Sequence, residues 1–273
     1  MGAVSVTKGT DRREASALIA ADEPAPVMAI EARRDPFVFI CEHAANRMPK
    51  ALGDLGLGAA DFERHIAWDP GAAALTRGLA ARSGGAALLQ AYSRLVIDCN
   101  RDPSLPDAIT AFSEDTTIPG NVGIDAAARE QRITAVWAPF HAAIDALMER
   151  RLAAGRPTAL VTIHSFTPVW RGIARPWHVG IISTDDRRFA EPMIEALAAD
   201  PTLVVGDDEP YSARDNVDYT IRRHGRDRGL PHVMIEIRND LLRSEAAIAG
   251  WVDRIWAALA TSVARLGLAE EES

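Results

Sequence analysis

The sequence predicts an α/β protein in which a mostly parallel, mixed sheet lies between two layers of helices. Short apolar runs recur along the chain without the polar alternation of a sheet that faces water. Longer segments with helical periodicity separate these runs. Hydrophobic residues make up 48% of the 273 residues and charged residues 25%, as is usual in globular domains. We therefore predict one α/β/α sandwich domain over residues 36–268.

The individual elements follow from the same patterns. Residues 1–35 lack sustained periodicity and are expected to form a mobile arm. The predicted strands are residues 37–40, 86–90, 95–98, 159–164, 179–183, 202–205 and 233–237. The predicted helices are residues 71–82, 126–154 with a possible break near Pro139, 187–199 and 244–266. Residues 103–123 are rich in Pro, Asp, Ser, Thr and Gly, which predicts a long loop that helps to wall the site.

Composition narrows the classes of partner. With a formal charge of −8, the protein lacks the overall positive potential that attracts nucleic acid or anionic lipid. No segment approaches 18 consecutive apolar residues, so we expect no membrane span. Two cysteines, Cys41 and Cys99, provide no disulfide framework and favour a reducing cytoplasm. We expect a cytoplasmic protein with a small-molecule partner, and we leave the oligomeric state open.

Polar side chains follow four of the predicted strands, at the sheet edge where ligands of open α/β sheets collect. They lie in four short segments, Cys41-Glu42-His43, Asp98-Cys99-Asn100-Arg101, His164-Ser165 and Glu236-Ile237-Arg238. Two histidines, a carboxylate and an asparagine–arginine pair are suited to metal-assisted hydrolysis, because histidines bind zinc and a carboxylate transfers protons. A histidine at a strand end is otherwise a structural residue, so the combination carries more weight than any one position.

The order of the motifs resembles the N-formylglutamate amidohydrolase family over about residues 37–260. The segments that carry the resemblance are CEHAANRMP, HIAWDPGA, YSRLVIDCNRDP, IPGN, IHSFTPVWRG, RPWHVGI and RGLPHVMIEIRNDL. That family is similar to zinc carboxypeptidases and aspartoacylases, which implies a carboxypeptidase-like fold. The resemblance also implies an enzyme that hydrolyses the linear amide of N-formylglutamate or of a related N-acyl amino acid.

The resemblance places His43 and His164 at the two histidine ligands, and Glu236 at the late catalytic glutamate. The chain departs from the pattern at Asn46, where the wider superfamily has a glutamate ligand. Asp69 is our preferred third ligand beside the two histidines, and Asn46 and Glu42 remain alternatives. The expected cofactor is a zinc ion, Zn²⁺, although manganese, iron or cobalt would suit similar donors.

The predicted roles follow from the chemistry. A metal activates water, and Glu236 acts as the general base that later protonates the leaving amine. Arg101, Arg94 and Asn100 are predicted to grip a substrate carboxylate, and Arg101 also to stabilise the oxyanion. Salt bridges from the arginines to Asp98 and Asp102 are the structural alternative.

Three other functions remain possible at this stage. One is a carboxypeptidase-like enzyme that cuts peptides or cell-wall fragments. Another is a non-catalytic binding protein on the same scaffold, for which Asn46 is the strongest indication. The third is nucleophilic catalysis by Cys41, which lies on the same strand face as His43.

Overall fold

The computed structural model describes residues 17–31, 36–212 and 218–268. Seven strands form one sheet, in the order β1-β3-β2-β6-β11-β9-β10, and four short strands form two hairpins, β4-β5 and β7-β8. The strands are β1 Val27–Ile30, β2 Phe37–Cys41, β3 Ala86–Gln90, β4 Phe112–Ser113, β5 Thr116–Thr117, β6 Ala159–Phe166, β7 Val169–Trp170, β8 Ile173–Ala174, β9 Val179–Ile182, β10 Val205–Asp207 and β11 His232–Arg238.

The centre of the sheet is parallel, as predicted. β3, β2, β6 and β11 run in one direction. β1 pairs antiparallel at one edge, and the pair β9 and β10 runs antiparallel to β11 at the other. The carboxyl ends of the four central strands therefore meet at one edge of the sheet.

Helices cover both faces of the sheet and complete the predicted sandwich. The helices are α1 Ala72–Ser83, α2 Ala126–Arg132, α3 Ala138–Ala153, α4 Ala190–Ala198 and α5 Glu245–Leu266. Helices α1, α4 and α5 pack on the face that includes Phe37 and Phe39, whereas α3 packs on the face that includes Val38 and Ile40. Successive residues of β2 are thus buried on opposite faces, which explains its unbroken apolar run.

Three element predictions differ from the structure. The expected mobile arm is wrong for Val27–Ile30, which form the edge strand β1; residues 1–16 and 32–35 of that arm lie outside the described residues. Residues 95–98 form no strand: Leu95 and Val96 lie in a turn, and the apolar run reflects burial in the core. The strand predicted at 202–205 begins at Val205, since Thr202 is held in a turn by Asp200.

The other element predictions agree with the structure to within a few residues. The pattern over residues 126–154 is split by a π-helical turn, Ile133–Trp137, and Pro139 lies in the first turn of α3. The predicted loop 103–123 contains the hairpin β4-β5 and short 3₁₀ turns. Among the described residues, no helix is long and apolar enough to cross a membrane.

Candidate active site

His43, Asp69 and His164 come together at the carboxyl edge of the sheet. His43 follows β2, His164 lies near the end of β6, and Asp69 lies in the segment before α1. Asp69 Oδ2 is 3.3 Å from His43 Nδ1 and 2.9 Å from His164 Nδ1. One possible metal-binding atom from each residue lies within 4.8 Å of the others, and all three side chains are buried.

The outer nitrogen of each imidazole also faces a carboxylate. His43 Nε2 is 2.7 Å from Asp98 Oδ1, and His164 Nε2 is 3.1 Å from Glu42 Oε2. Carboxylates in this position orient metal-binding histidines and raise their basicity. The two Nδ1 atoms, which both face Asp69, are therefore the nitrogens that could bind a metal ion.

The local charges fit a divalent cation. Three buried carboxylates, Glu42, Asp69 and Asp98, surround the two imidazoles, and Arg94 pairs with Asp98 and Asp69. With both imidazoles neutral, this group carries two net negative charges in a buried place, which is costly without a counter-charge. Two nitrogens and one carboxylate oxygen also match the donors that zinc prefers.

The other two candidates for the third metal ligand point elsewhere. Asn46 Nδ2 donates to the Phe62 carbonyl at 2.8 Å, so this amide is engaged outside the cluster. Glu42 approaches His164 on the side opposite to Asp69. Asp69 is oriented further by His65, whose Nε2 is 3.3 Å from Asp69 Oδ1.

Glu236 lies beside this cluster, since β11 pairs with β6 in a register that sets Glu236 opposite His164. It is buried, lines the cavity, and its Oε2 has no hydrogen-bond partner among the described residues. Burial raises the pKa of Glu236 to about 8, and Asp69 adds to the rise. Burial also acts on Asp98, but Arg94 and His43 hold the pKa of that carboxyl well below its usual range.

A cavity of about 230 Å³ opens in front of these residues. This is smaller than the roughly 300–1,000 Å³ of typical ligand pockets. Asn100 and Arg101 line it, and the loop 103–123 contributes Asp107, Thr110 and Ser113 to its wall, as the sequence predicted for that loop.

The two predicted arginines differ in their contacts. The guanidinium of Arg94 donates to Asp98 Oδ2 from Nε and Nη2, at 3.2 and 2.6 Å, and lies 3.5 Å from Asp69. Most of its donors therefore contact the two carboxylates beside His43. Arg101 Nη1 donates to the carbonyl of Asn100 at 3.1 Å, and its Nε lies 3.3 Å from Asp107.

Sequence reasoning left Tyr211 and Trp170 out of the site, although both line the cavity. The Tyr211 hydroxyl accepts a bond from Arg175 Nη1 at 3.2 Å, and the Arg175 guanidinium lies 5.2 Å from the Trp170 ring centroid. Burial raises the pKa of Tyr211 to about 12, so its hydroxyl keeps its proton. Trp170 lies in the short hairpin β7-β8 and Tyr211 in an irregular segment, and no periodic pattern marks either of them as a site residue.

The cysteine alternative does not fit the structure. Cys41 is buried among the apolar residues between the sheet and α1, and burial raises the pKa of its thiol well above the usual value. A nucleophilic cysteine needs the opposite shift, because the thiolate is the reactive form.

Comparisons with known proteins agree with this geometry. A model of the family described as N-formylglutamate amidohydrolase matches residues 35–243. The crystal structure of a gene product from Agrobacterium tumefaciens is similar at 38% identity with a TM-score of 0.89, covering 92% of this chain and 99% of that chain. An N-formylglutamate amidohydrolase from Ralstonia eutropha shares the fold at 18% identity with a TM-score of 0.59, covering 89% of this chain and 99% of that one. A search of curated protein sequences finds no significant match.

The family match spans most of the chain and includes all of the residues gathered at the cavity. The α/β sandwich and the resemblance drawn from the motifs agree with it. The chain therefore belongs to the N-formylglutamate amidohydrolase family, whose members are hydrolases of carbon–nitrogen bonds other than peptide bonds.

Proposed function

We propose that this protein is a zinc-dependent amidohydrolase that removes the acyl group from N-formylglutamate or from a closely similar N-acyl amino acid. The observation that carries the proposal is the buried cluster of His43, Asp69 and His164 beside a protonatable Glu236. The small cavity favours a small substrate over a peptide or a cell-wall fragment. The free cysteines Cys41 and Cys99 are compatible with the cytoplasmic location, which stays a prediction.

His43, Asp69 and His164 would hold the metal, with the histidines donating from Nδ1. A bound zinc ion supplies a Lewis acid that polarises a carbonyl and lowers the pKa of water. Asp98 and Glu42 orient the two imidazoles from their outer nitrogens. Another divalent metal would satisfy the same donors.

Glu236 is the group that moves the proton. Its carboxyl lies opposite His164 at the cavity and has an oxygen without a hydrogen-bond partner among the described residues, so it is placed to accept and return a proton. Its carboxylate takes a proton from the attacking water and passes it to the nitrogen of the leaving amine. The neighbouring Asp69 and Asp98 have lowered pKa values and stay ionised, so the two roles are separated by environment.

Asn100 and Arg101, which also line the cavity, hold the substrate. Guanidinium geometry suits the substrate carboxylate, and Arg101 also stabilises negative charge on the amide oxygen. Arg94 lines the cavity as well and contributes its charge while it supports Asp98. The Tyr211 hydroxyl accepts from Arg175, which leaves its own hydrogen to donate toward the cavity.

The test measures metal content and N-formylglutamate hydrolysis in the same samples of four proteins. Wild type should bind about one zinc ion per chain and release formate. His43→Ala and His164→Ala should lose both properties, whereas Glu236→Gln should keep the metal and lose at least about 100-fold in kcat, the usual contribution of a general acid–base group.

His178→Ala is the matched control, because His178 accepts a backbone bond from Val204 in a loop and does not line the cavity. This variant should keep both the metal and turnover. Metal-bound wild type that leaves N-formylglutamate intact would reject the substrate. Full turnover in the His43 and His164 variants would reject the mechanism.

A further inference from the structure

Asn100 and Arg101, which line the cavity, and the preceding Cys99 each accept a hydrogen bond from a residue that does not line it. We call residues 99–101 the backing turn; it includes the two proposed substrate-binding residues. The three bonds run from His141 Nε2 to Cys99 O (2.9 Å), from Thr220 N to Asn100 Oδ1 (3.1 Å) and from Trp137 Nε1 to Arg101 O (3.0 Å).

The donors belong to a layer that does not itself face the cavity. Among the described residues, Asn100 and Arg101 line the cavity, whereas Trp137, His141 and Thr220 do not. Trp137 ends the π-helical turn Ile133–Trp137, and Thr220 directly precedes a second π-helical turn, Ile221–Gly225. Such turns shift side chains relative to a regular helix and occur often at functional sites. Here both π-helical turns converge on the backing turn.

The direction of the bond from His141 is fixed by its partners. A carbonyl oxygen only accepts, so His141 Nε2 must carry a hydrogen, and in the neutral ring Nδ1 is then an acceptor. His224 Nε2 lies 2.9 Å from that Nδ1 and donates to it. On the far side, His224 Nδ1 lies 3.3 Å from Arg228 Nη1 and 3.1 Å from Asp145 Oδ1. The neutral His141 ring therefore accepts from His224 and donates to the backing turn.

The imidazoles of His141 and His224 and the indole of Trp137 pack closely against one another. The imidazoles of His141 and His224 stack at 8° with their centroids 5.2 Å apart, and both are buried. The Trp137 ring lies 4.1 Å from His141, centroid to centroid. Burial lowers the pKa of His141 to about 4, which keeps the ring neutral at neutral pH and preserves the direction of the bond.

We propose that Trp137 and His141 are positioning residues for substrate binding, which hold Asn100 and Arg101 in the orientation that grips the substrate carboxylate. The inference rests on the proposed function, because it takes Asn100 and Arg101 as substrate contacts. Binding side chains must be held within about 0.5 Å of the productive geometry, and supporting hydrogen bonds provide that restraint.

Trp137→Phe is the main test, because it removes the indole N–H and keeps an aromatic ring against His141. Losing one such restraint should raise KM for N-formylglutamate about fivefold to tenfold, the usual effect of one hydrogen bond. We expect kcat to stay within about twofold, because binding of the ground state and the transition state would weaken together. Zinc content should equal that of wild type, since the metal-binding residues are not changed.

His141 provides a matched pair of variants. The amide of His141→Gln can donate to Cys99 and accept from His224, so its KM should stay near the wild-type value. His141→Met has a similar length and no donor, so its KM should rise as in Trp137→Phe. A general loss of packing would instead lower the melting temperature and the active fraction in both variants without separating their KM values.

The outcomes separate this inference from the proposed function. A zinc-loaded wild type without turnover would overturn the proposed function and this inference with it. An active wild type, with KM unchanged in folded, zinc-loaded Trp137→Phe and His141→Met, would overturn the inference alone. An elevated KM in His141→Gln equal to that of His141→Met would also contradict it, since the donor would then be irrelevant.

Discussion

The buried carboxyl groups around His43 and His164 differ in the direction in which their pKa values are shifted. Burial alone raises the pKa of each, but contacts with neighbouring imidazoles and, at Asp98, the Arg94 guanidinium reverse that effect at Asp69 and Asp98 and not at Glu236. Arg94 is the largest contributor to the reversal at Asp98. The separation between ionised and protonatable carboxyls therefore depends on which of them an arginine or histidine touches.

The buried histidine pair predicts how stability depends on pH. Burial lowers the pKa of His141 to about 4, whereas the unfolded chain binds this proton near pH 6.5. A lowered folded-state pKa stabilises the protein above pH 6.5, and this stability is lost as the pH falls toward 4. When the pH is lowered from 7 to 4.5, the unfolding free energy of His141→Gln should therefore fall by about 2 kcal/mol less than that of wild type.

Urea unfolding of both proteins at the two pH values measures this difference. Other acid-sensitive groups, such as Asp98, titrate in both proteins and cancel in the comparison. An equal loss of free energy in the two proteins would show that His141 is not held neutral by burial.

Residue types at strand ends predicted much of the site, but not the orientation of its side chains. The positions of His43, His164 and Glu236 followed from motif order and from polar residues after apolar runs. The engagement of Asn46 with a backbone carbonyl depends on a tertiary contact that no local pattern encodes. The burial of His224 against His141, which comes from a helix 83 positions away, likewise depends on a tertiary contact.

At the scale of elements, strand β9 makes room for the segment that carries Tyr211. Gly180 pairs with Glu236 on β11, and a Cβ at Gly180 would overlap the Glu209 carbonyl oxygen. Gly180→Ala should therefore displace the segment from Glu209 to Tyr211 and destabilise the fold by about 1–3 kcal/mol, as overpacking does. Activity should fall as well, because Tyr211 would leave the cavity wall.

Gly250→Ala is the matched control for this change. Gly250 lies in α5, where a Cβ would meet only the flexible end of Arg254 at 3.7 Å. The same substitution there should be neutral or slightly stabilising, since alanine favours helices. Similar unfolding free energies for the two variants would show that the contact at Gly180 is unimportant.

The predicted strands were correct where a buried apolar run has an extended backbone, and wrong where the run is buried without forming a strand. Buried central strands such as Ala86–Gln90 match the predicted bounds. Leu95, Val96 and Ile97 are also apolar and buried, but they form no strand. Hydrophobicity reports burial, and a short run does not distinguish a strand from a buried turn. Edge strand β1 is short and follows a Pro-rich stretch, so its signal was weak.

For the molecule as a whole, metal binding should contribute measurably to stability. A ligand that binds only the folded state, at 100 times its Kd, adds about 2.7 kcal/mol. For a protein of this size, that corresponds to a rise in Tm of about 5–10 °C. Removal of the metal with EDTA should reverse the rise, and calorimetry of the loaded and stripped proteins measures it.

Two variants distinguish the third ligand in the same calorimetric measurement. Asp69→Asn should abolish the zinc-dependent rise in Tm, whereas Asn46→Ala should keep it, because Asn46 is engaged with Phe62. The reverse pattern would assign the ligand to Asn46 and contradict the geometry of the cluster.

The cavity wall combines residues from several separate parts of the chain. His43, His164 and Glu236 lie in or directly after central strands, whereas Asp107, Thr110 and Ser113 come from the one loop at residues 103–123. Substitutions, insertions or deletions in that loop can reshape the cavity wall without disturbing the sheet that carries the reactive groups. The scaffold is therefore evolvable: descendants of such a protein can acquire new acyl or amino-acid preferences through one loop while they inherit the hydrolytic chemistry intact.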